Sequence, residues 1–394
     1  MKEVTENEII YLDNNATTKI APEVFEEMVP YLTEYWGNPS SSYRFAHHAR
    51  EAVETAREKV AALIGAEPKE IFFTSCGTES NNAAIASALR VTGRKKVVTT
   101  AVEHSAILNH AEQLARDGFR TVFLPVDSEG RLSIAELEKA VDDETAICSV
   151  MWANNETGVL FPVEEIAEIC KLKGVLFHTD AVQAGGKIPI NLADNKIDFL
   201  SLSGHKLHCP KGVGALFIRR RAKFSPYLVG GHQERGKRGG TENVASIAGF
   251  GKAAELAAGR LKDENTRVRK LRDELEAFIL SEIPGCFRNG CKNERLPNTT
   301  SVAFEGIDSE SILMMLDQSH ICCSSGSACT TGSLEPSHVL KAMHVPLSRA
   351  KGSLRFSFSV YNTEEDVAKV KAVLPGIIAK LRSQSPAARV SRGS

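Results

Sequence analysis

The sequence lacks any apolar stretch long enough to cross a membrane, and it has almost no net charge. No uninterrupted apolar run approaches the roughly 18 residues that a membrane-spanning helix needs, and the polar segment 1–7 lacks the pattern of a signal peptide. The 48 Lys and Arg residues against 49 Asp and Glu residues give a net charge of −1, so no overall field attracts the chain to polyanions. We therefore expect neither nucleic acid nor a membrane among its partners.

The nine cysteines include no CxxC pair. Without an export signal, such cysteines are expected to be free thiols in a reducing compartment, which predicts a cytoplasmic location. Two short segments combine histidine with cysteine: His205, His208 and Cys209, and His320, Cys322 and Cys323. Neither has a second ligand pair at a spacing known for zinc sites. We therefore expect no metal centre.

Short apolar segments alternate with stretches of helical periodicity from residue 45 to about residue 260. Strands are predicted at 71–74, 96–100, 121–124, 146–152, 175–179, 199–203 and 214–218, and segments such as 163–172 are predicted helices between them. The strand segments are continuously apolar rather than alternating, as in strands buried on both faces. This pattern predicts an α/β fold with a mostly parallel, mixed sheet covered by helices.

From about residue 244 the pattern changes to that of a smaller α+β domain. Apolar residues at positions 261, 268, 271, 275 and 278 predict one long amphipathic helix. Strands at 300–304, 320–323 and 353–358 follow, and Thr363 and Asp366 form a predicted cap for a last helix at 364–381. The predicted division is a large domain at 16–259 and a small domain at 1–15 and 260–382, with a disordered tail at 383–394.

Three of the predicted strands end in unusual polar residues, at the sheet edge where parallel sheets bind ligands. After the first strand, Gly77 and Thr78 begin a helix whose N–H groups either bind a phosphate or form an ordinary cap. After the fifth strand, Asp180 is either an N-cap or the partner of a buried cation. After the sixth, Lys206 either forms an ion pair or, with its pKa lowered by burial, attacks an aldehyde. Together these groups specify a site for pyridoxal 5′-phosphate.

A set of motifs makes the sequence resemble the cysteine desulfurases of the NifS and IscS type, within the aminotransferase superfamily. The motifs are YLDNNATT (11–18), GNPSS (37–41), TSCGTESN (74–81), NNETG (154–158), HTDAVQ (178–183), SGHK (203–206), RGGTENV (238–244), SSGSAC (324–329) and LRFS (354–357). The resemblance extends from residue 11 to about residue 381. It implies the fold of the aspartate-aminotransferase-like, pyridoxal-phosphate-dependent transferases.

The resemblance also implies roles for individual residues around the cofactor. Lys206 would hold the cofactor covalently and move the Cα proton of the substrate, and His104 would stack on the ring and transfer protons. Asp180 would pair with the ring nitrogen and Gln183 with the ring hydroxyl. The residues implied in phosphate binding are Gly77, Thr78, Ser203, His205 and, across the interface of a homodimer, Thr241.

The remaining implied roles concern the substrate and its sulfur. Asn155 and Arg355 would bind the carboxylate of L-cysteine, which suits the planar guanidinium. Cys329, in a loop of small residues at about 324–336, would take the sulfur as a persulfide and leave L-alanine. The long loop resembles that of relatives that pass sulfur to an iron–sulfur scaffold protein. The 238–244 segment is similar to NifS, which implies cluster assembly for nitrogenase.

Several alternatives stay open from the sequence. A selenocysteine lyase would share the cofactor site and need Cys329 less, whereas a simple aminotransferase would give Cys329 no role. A non-catalytic sulfur carrier or scaffold partner is a further alternative, disfavoured by the presence of a complete cofactor set. Cys322 and Cys323 are interpreted as packing residues of a strand, with a resolving thiol for Cys329 as the alternative.

Overall fold

The computed structural model describes residues 9–325 and 336–384. The strands in these ranges are β1 (Ile10–Tyr11), β2 (Ile71–Thr74), β3 (Lys96–Thr100), β4 (Arg120–Leu124), β5 (Thr145–Ser149), β6 (Leu176–Asp180), β7 (Phe199–Ser203), β8 (Gly214–Ile218), β9 (Cys286–Arg288), β10 (Thr299–Phe304), β11 (Ile321–Cys322), β12 (Ser324–Ser325) and β13 (Ser353–Ser357). The helices are α1 (Pro22–Thr33), α2 (His47–Leu63), α3 (Gly77–Thr92), α4 (Ser105–Arg116), α5 (Ile134–Ala140), α6 (Val163–Leu172), α7 (Val244–Asp263), α8 (Arg269–Glu282), α9 (Ser309–Asp317), α10 (His338–Ala342), α11 (Leu347–Ala350) and α12 (Glu364–Gln384). Cys329 and the predicted tail beyond residue 384 lie outside the described residues.

Seven strands form the large sheet in the order β2-β8-β7-β6-β5-β3-β4. The strands from β7 to β4 pair in parallel, and β8 pairs antiparallel with both of its neighbours. The predicted α/β fold with a mostly parallel, mixed sheet is thus confirmed.

Helices cover both faces of this sheet. Along β2, Ile71 and Phe73 pack into one apolar core while Phe72, between them, packs into another. Successive side chains of a strand point to opposite faces, so the two cores lie on opposite sides of the sheet. The continuous apolar strands therefore follow from burial on both faces.

The predicted strand 146–152 ends earlier, at Ser149. On the side of β3, the N–H of Met151 donates to the carboxyl oxygens of Glu103, at 3.0 and 3.1 Å, whereas main-chain hydrogen bonds to β6 continue as far as Trp152. Glu103 is fully buried, and burial raises its pKa to about 8. Pairing with β3 therefore ends where the chain begins to contact the polar residues described below, while its bonding to β6 continues.

The smaller part of the molecule contains a second sheet in the order β12-β13-β10-β9 and a parallel pair, β1 with β11. The strand predicted at 320–323 is in fact two short strands in different sheets, because the chain moves from β11 beside β1 to β12 beside β13. Cys323, at this change, packs against the apolar core that α8, α9 and α12 form. That contact favours the packing interpretation of this cysteine.

The predicted long helix is formed by α7 and α8, joined by a π-helical turn at Glu264–Val268. The predicted cap of α12 is confirmed: Asp366 N–H donates to Thr363 Oγ1, and Thr363 N–H donates to Asp366 Oδ2, at 3.3 and 3.1 Å. This helix continues to Gln384, past the predicted end at 381. Of the helices in the described ranges, none has the length and apolar character to cross a membrane.

The two parts of the chain have separate apolar cores. The core beside α2 and α7 draws most of its residues from 21–254, and the core around α12 draws its residues from 10–12 and 268–378. Val339, Leu340 and Met343 on and after α10 belong to the first core, although they lie far along the chain. The domain boundaries given above stay a prediction.

Candidate active site

A cavity of about 280 Å³ opens where β2, β3, β5, β6 and β7 end, near the lower limit of the roughly 300–1,000 Å³ usual for small-molecule sites. The residues predicted from the sequence that line it are Gly77, Thr78, His104, Asn155, Asp180, Gln183, Ser203, His205, Lys206 and Arg355. Thr241 is exposed and does not line this cavity. Strands β2, β6 and β7 are neighbours or near neighbours in one sheet. The polar residues at or directly after their carboxyl ends therefore lie close together.

The N-terminus of α3 forms one wall of the cavity. The helix begins at Gly77, so its first N–H groups have no helical partner and carry the positive end of the helix dipole. A Cβ atom on Gly77 would lie only 2.8 Å from Val182 Cγ2, which shows how closely the loop after β6 approaches this helix. Ser203 Oγ, at the end of β7, is buried without a hydrogen-bond partner in the described residues. This corner can hold an anion such as a phosphate.

Asp180 lies at the end of β6 and is held from two sides. Its Oδ2 accepts a hydrogen bond of 2.6 Å from the Asn81 amide, and its Oδ1 accepts one of 3.0 Å from the N–H of Val182. Asp180 is 6% exposed. The carboxylate is thus fixed in the cavity wall. There it can stabilise the protonated ring nitrogen of the expected cofactor, pyridoxal phosphate.

Lys206 lies in a 3₁₀ turn directly after β7. Its ammonium donates hydrogen bonds of 2.6 Å to each of the main-chain carbonyls of Asn15 and Ala16. Burial, and then the positive charge of Arg355, lower the pKa of Lys206 to about 7. A large fraction of this amine is therefore neutral near pH 7, the form that attacks an aldehyde.

His104 caps the N-terminus of α4. Its Nδ1 accepts a hydrogen bond of 3.1 Å from the N–H of Ala106. Burial lowers the pKa of His104, with Asp180 acting in the opposite direction. In the neutral ring the cap therefore puts the proton on Nε2, since Nδ1 is an acceptor.

Arg355 on β13 is a second basic group in the cavity wall. Its guanidinium donates to the main-chain oxygen of Asn155 at 2.9 Å and to Asp13 Oδ1 at 2.6 Å. Its Nε is buried without a partner in the described ranges. The arrangement leaves donors free for the carboxylate of a substrate.

Comparison with known proteins identifies the family. Residues 10–370 match the class-V aminotransferase family. The chain is 52% identical over 379 residues to a cysteine desulfurase of Nostoc sp., and 53% identical to the cysteine desulfurase NifS of Azotobacter vinelandii; the alignments cover 96% of this chain and 95% and 94% of those proteins. A solved structure titled NIFS-LIKE PROTEIN superposes with a TM-score of 0.89 at 39% identity, covering 95% of this chain and all of that one.

This chain belongs to the class V aminotransferases.

Class V aminotransferases of the NifS type depend on pyridoxal phosphate, and the polar atoms of this cavity fit that cofactor. Gln183 Oε1 and Ser203 Oγ are both buried and without partners in the described part of the chain. Buried polar atoms are nearly always hydrogen-bonded, and a ring hydroxyl and a phosphate would provide the missing partners. Burial, and then the charge of Lys206, lower the pKa of His205 to about 4, so its ring is neutral beside the phosphate corner.

Sequence reasoning missed three residues of this class V aminotransferase site. Asn15 provides a carbonyl to Lys206, Asn81 holds Asp180, and Asp13 holds Arg355. A signal existed for Asn81, because it lies four residues after Gly77 on α3 and so shares its face. Asn15 and Asp13 belong to the YLDNNATT motif, but the sequence does not reveal what they contact.

Proposed function

We propose that this class V aminotransferase is a pyridoxal-phosphate-dependent cysteine desulfurase. It converts L-cysteine to L-alanine and transfers the sulfur to Cys329 as a persulfide, for iron–sulfur cluster assembly in a nitrogenase-related system. The observation that carries the proposal is one cavity with Lys206, Asp180 and Arg355 on its wall, in a chain about half identical to cysteine desulfurases.

The cofactor would be held at three points. Gly77, Thr78, Ser203 and His205 bind its phosphate, Asp180 binds the ring nitrogen, and Gln183 binds the ring hydroxyl. When bound, pyridoxal phosphate withdraws electrons from the Cα of an attached amino acid. Asp180 makes that withdrawal effective because its carboxylate, fixed by Asn81 at 2.6 Å, keeps the ring nitrogen protonated.

The protein's own groups then position the substrate and move its protons. Arg355 and Asn155 bind the carboxylate of L-cysteine, which fixes the orientation of the Cα–H bond. Lys206, with its pKa near 7, is suited to accept the Cα proton and return it, because a base works best near the operating pH. His104 lines the cavity, and its Nε2, which carries the proton of the neutral ring, would transfer a proton at the substrate sulfur.

The sulfur transfer needs Cys329 as a thiolate, since the thiol is a poor nucleophile. The thiolate attacks the substrate sulfur and forms a sulfur–sulfur bond as the carbon–sulfur bond breaks. The electron pair of the broken bond stays with the carbon, which is protonated to give the methyl group of alanine. The products are one L-alanine and one Cys329 persulfide, so atoms and electrons balance.

The protein would act as a cytoplasmic homodimer that delivers sulfur to an iron–sulfur scaffold protein. The segment before α7 supports the dimer: Gly239 N–H donates to Leu228 O at 2.9 Å, which folds the segment back on itself. Val229, next to this hydrogen bond, is 86% exposed. An exposed apolar side chain near Thr241 suits a subunit interface, through which Thr241 would reach the phosphate in the other subunit.

Mass spectrometry tests the proposal directly. After the holoenzyme is incubated with L-cysteine and digested without reductant, fragment-ion sequencing should place one additional sulfur atom on Cys329. The Cys329→Ala variant should form neither the persulfide nor L-alanine, while the matched Cys322→Ala variant should form both. Sulfur on Cys322 instead, or alanine production at the parental rate by Cys329→Ala, would contradict the proposal.

A further inference from the structure

Asp13 forms an ion pair with the guanidinium of Arg355 that the roles described so far do not use. Asp13 Oδ1 lies 2.6 Å from Arg355 Nη2, and the two side chains are 19% and 2% exposed. Asp13 is not among the side chains that line the cavity, whereas Arg355 is. The carboxylate therefore holds the guanidinium without itself lining the cavity.

The backbone of Asp13 is itself fixed to the strand that carries Arg355. Asp13 forms an isolated parallel bridge with Ser357, two residues after Arg355 on β13. The flanking main-chain bonds are Ser357 N–H to Leu12 O at 2.7 Å and Asn14 N–H to Ser357 O at 3.1 Å. Because both partners of the ion pair are attached to one strand, the position of the guanidinium is set by short, rigid connections.

The donors of Arg355 show what this ion pair leaves for a ligand. A guanidinium has five N–H donors, and the two bonds to Asp13 and to the Asn155 carbonyl use two of them, so three remain. One of the three is the Nε–H, which is buried and has no partner in the described residues. A planar carboxylate binds two parallel N–H groups of one edge, and this requires that the plane of the guanidinium is fixed.

We propose that Asp13 is the positioning residue of the carboxylate site: it fixes the plane of the Arg355 guanidinium and so sets the affinity for amino-acid ligands. The inference rests on the proposed role of Arg355 in binding the substrate carboxylate. Preorganised groups bind more tightly because less conformational freedom is lost on binding. Asp13→Asn keeps the size of the side chain and removes the charge that holds Nη2.

The test compares two ligands of the holoenzyme that differ only in the carboxylate. Ethylamine is L-alanine without its carboxylate, and binding of either one is measured at equilibrium from the absorbance of the bound cofactor. In Asp13→Asn we expect the dissociation constant of L-alanine to rise about tenfold and that of ethylamine to change less than about twofold. An equal rise for both ligands, or no rise for L-alanine, would overturn the inference.

A double-mutant cycle separates this inference from the role of Arg355 itself. Arg355→Gln should weaken L-alanine binding selectively, and adding Asp13→Asn to it should cause no further loss. If Arg355→Gln leaves L-alanine affinity unchanged, the proposed carboxylate site is wrong. If Arg355→Gln weakens binding but Asp13→Asn does not, only the role of Asp13 is wrong.

Two further variants control for folding and for charge. Glu364 forms an ion pair with Lys270, and the two side chains are 67% and 68% exposed. The Glu364→Gln variant loses this exposed carboxylate, and we expect it to bind both ligands with the parental affinity. If thermal melting shows that Asp13→Asn is unfolded, Asp13→Glu replaces it, since one added methylene displaces the carboxylate and should still weaken L-alanine selectively. An Asp13→Glu protein with parental selectivity would refute the inference.

Discussion

The lowered pKa of Lys206 predicts how fast the apoprotein captures its cofactor at each pH. Burial, and then the charge of Arg355, move this pKa from 10.5 to about 7. At pH 7 about half of the Lys206 side chains are then neutral, against about 0.03% of ordinary lysines, a gain of more than roughly a thousandfold in reactive amine. Since only the neutral amine attacks the aldehyde of pyridoxal phosphate, the rate of capture should rise with pH and level off above a midpoint near 7.

Stopped-flow absorbance of apoprotein mixed with pyridoxal phosphate measures this rate, with Nα-acetyl-lysine as a reference amine in parallel. Because Arg355 lowers the pKa of Lys206 and Asp13 raises it, Arg355→Gln should move the midpoint up and Asp13→Asn should move it down. A rate that keeps rising about tenfold per pH unit toward the ordinary lysine value, as the reference amine does, would refute the reasoning. A midpoint that moves down in Arg355→Gln, or up in Asp13→Asn, would refute the assigned effects of these two charges.

Three substitutions test other parts of the structure. Asn81→Ala removes the 2.6 Å hydrogen bond to Asp180. Since hydrogen bonds to charged groups contribute about 1.5–3 kcal/mol, the Kd for pyridoxal phosphate, measured by equilibrium dialysis, should rise at least about tenfold. Gly77→Ala puts a Cβ 2.8 Å from a valine methyl carbon, so cofactor affinity should fall severalfold with little change in Tm; an unchanged affinity would contradict the close approach. Arg57 and Glu234 form an ion pair whose side chains are 4% and 2% exposed, so Arg57→Ala leaves a buried carboxylate without its cation. Denaturant unfolding should show a loss of about 3–5 kcal/mol in the free energy of unfolding. A loss below about 1 kcal/mol would mean that solvent compensates for the missing cation.

The fold was predictable because its strongest signals are local. Each large-sheet strand is a short apolar run that needs no knowledge of its neighbours, and the cap of α12 is set by Thr363 and Asp366 only three residues apart. Errors occurred where a distant group decides the conformation. The strand predicted to reach 152 loses its pairing with β3 after Ser149 because Met151 bonds to Glu103, 48 residues earlier, and no local pattern encodes that contact.

The candidate site divides in the same way. Gly77, Asp180 and Lys206 were predictable because each directly follows an apolar strand, and the topology of parallel strands brings such positions together. Asn81 and Asn15 were missed because their roles are defined by contacts with Asp180 and Lys206 that are 99 and 191 residues away in sequence. The sequence therefore indicated which groups do the chemistry but not which groups hold them.

The motif at residues 11–18 shows what such contacts achieve. Within a few residues, Asp13 holds Arg355, the carbonyls of Asn15 and Ala16 accept from Lys206, and Thr18 donates to the carbonyl of His205. Arg355 lies on the small sheet and Lys206 follows a strand of the large one. One short segment thus fixes the carboxylate-binding cation and the reactive amine relative to each other. A change at Asp13 should therefore alter amino-acid affinity and the pKa of Lys206 together, although this carboxylate does not line the cavity.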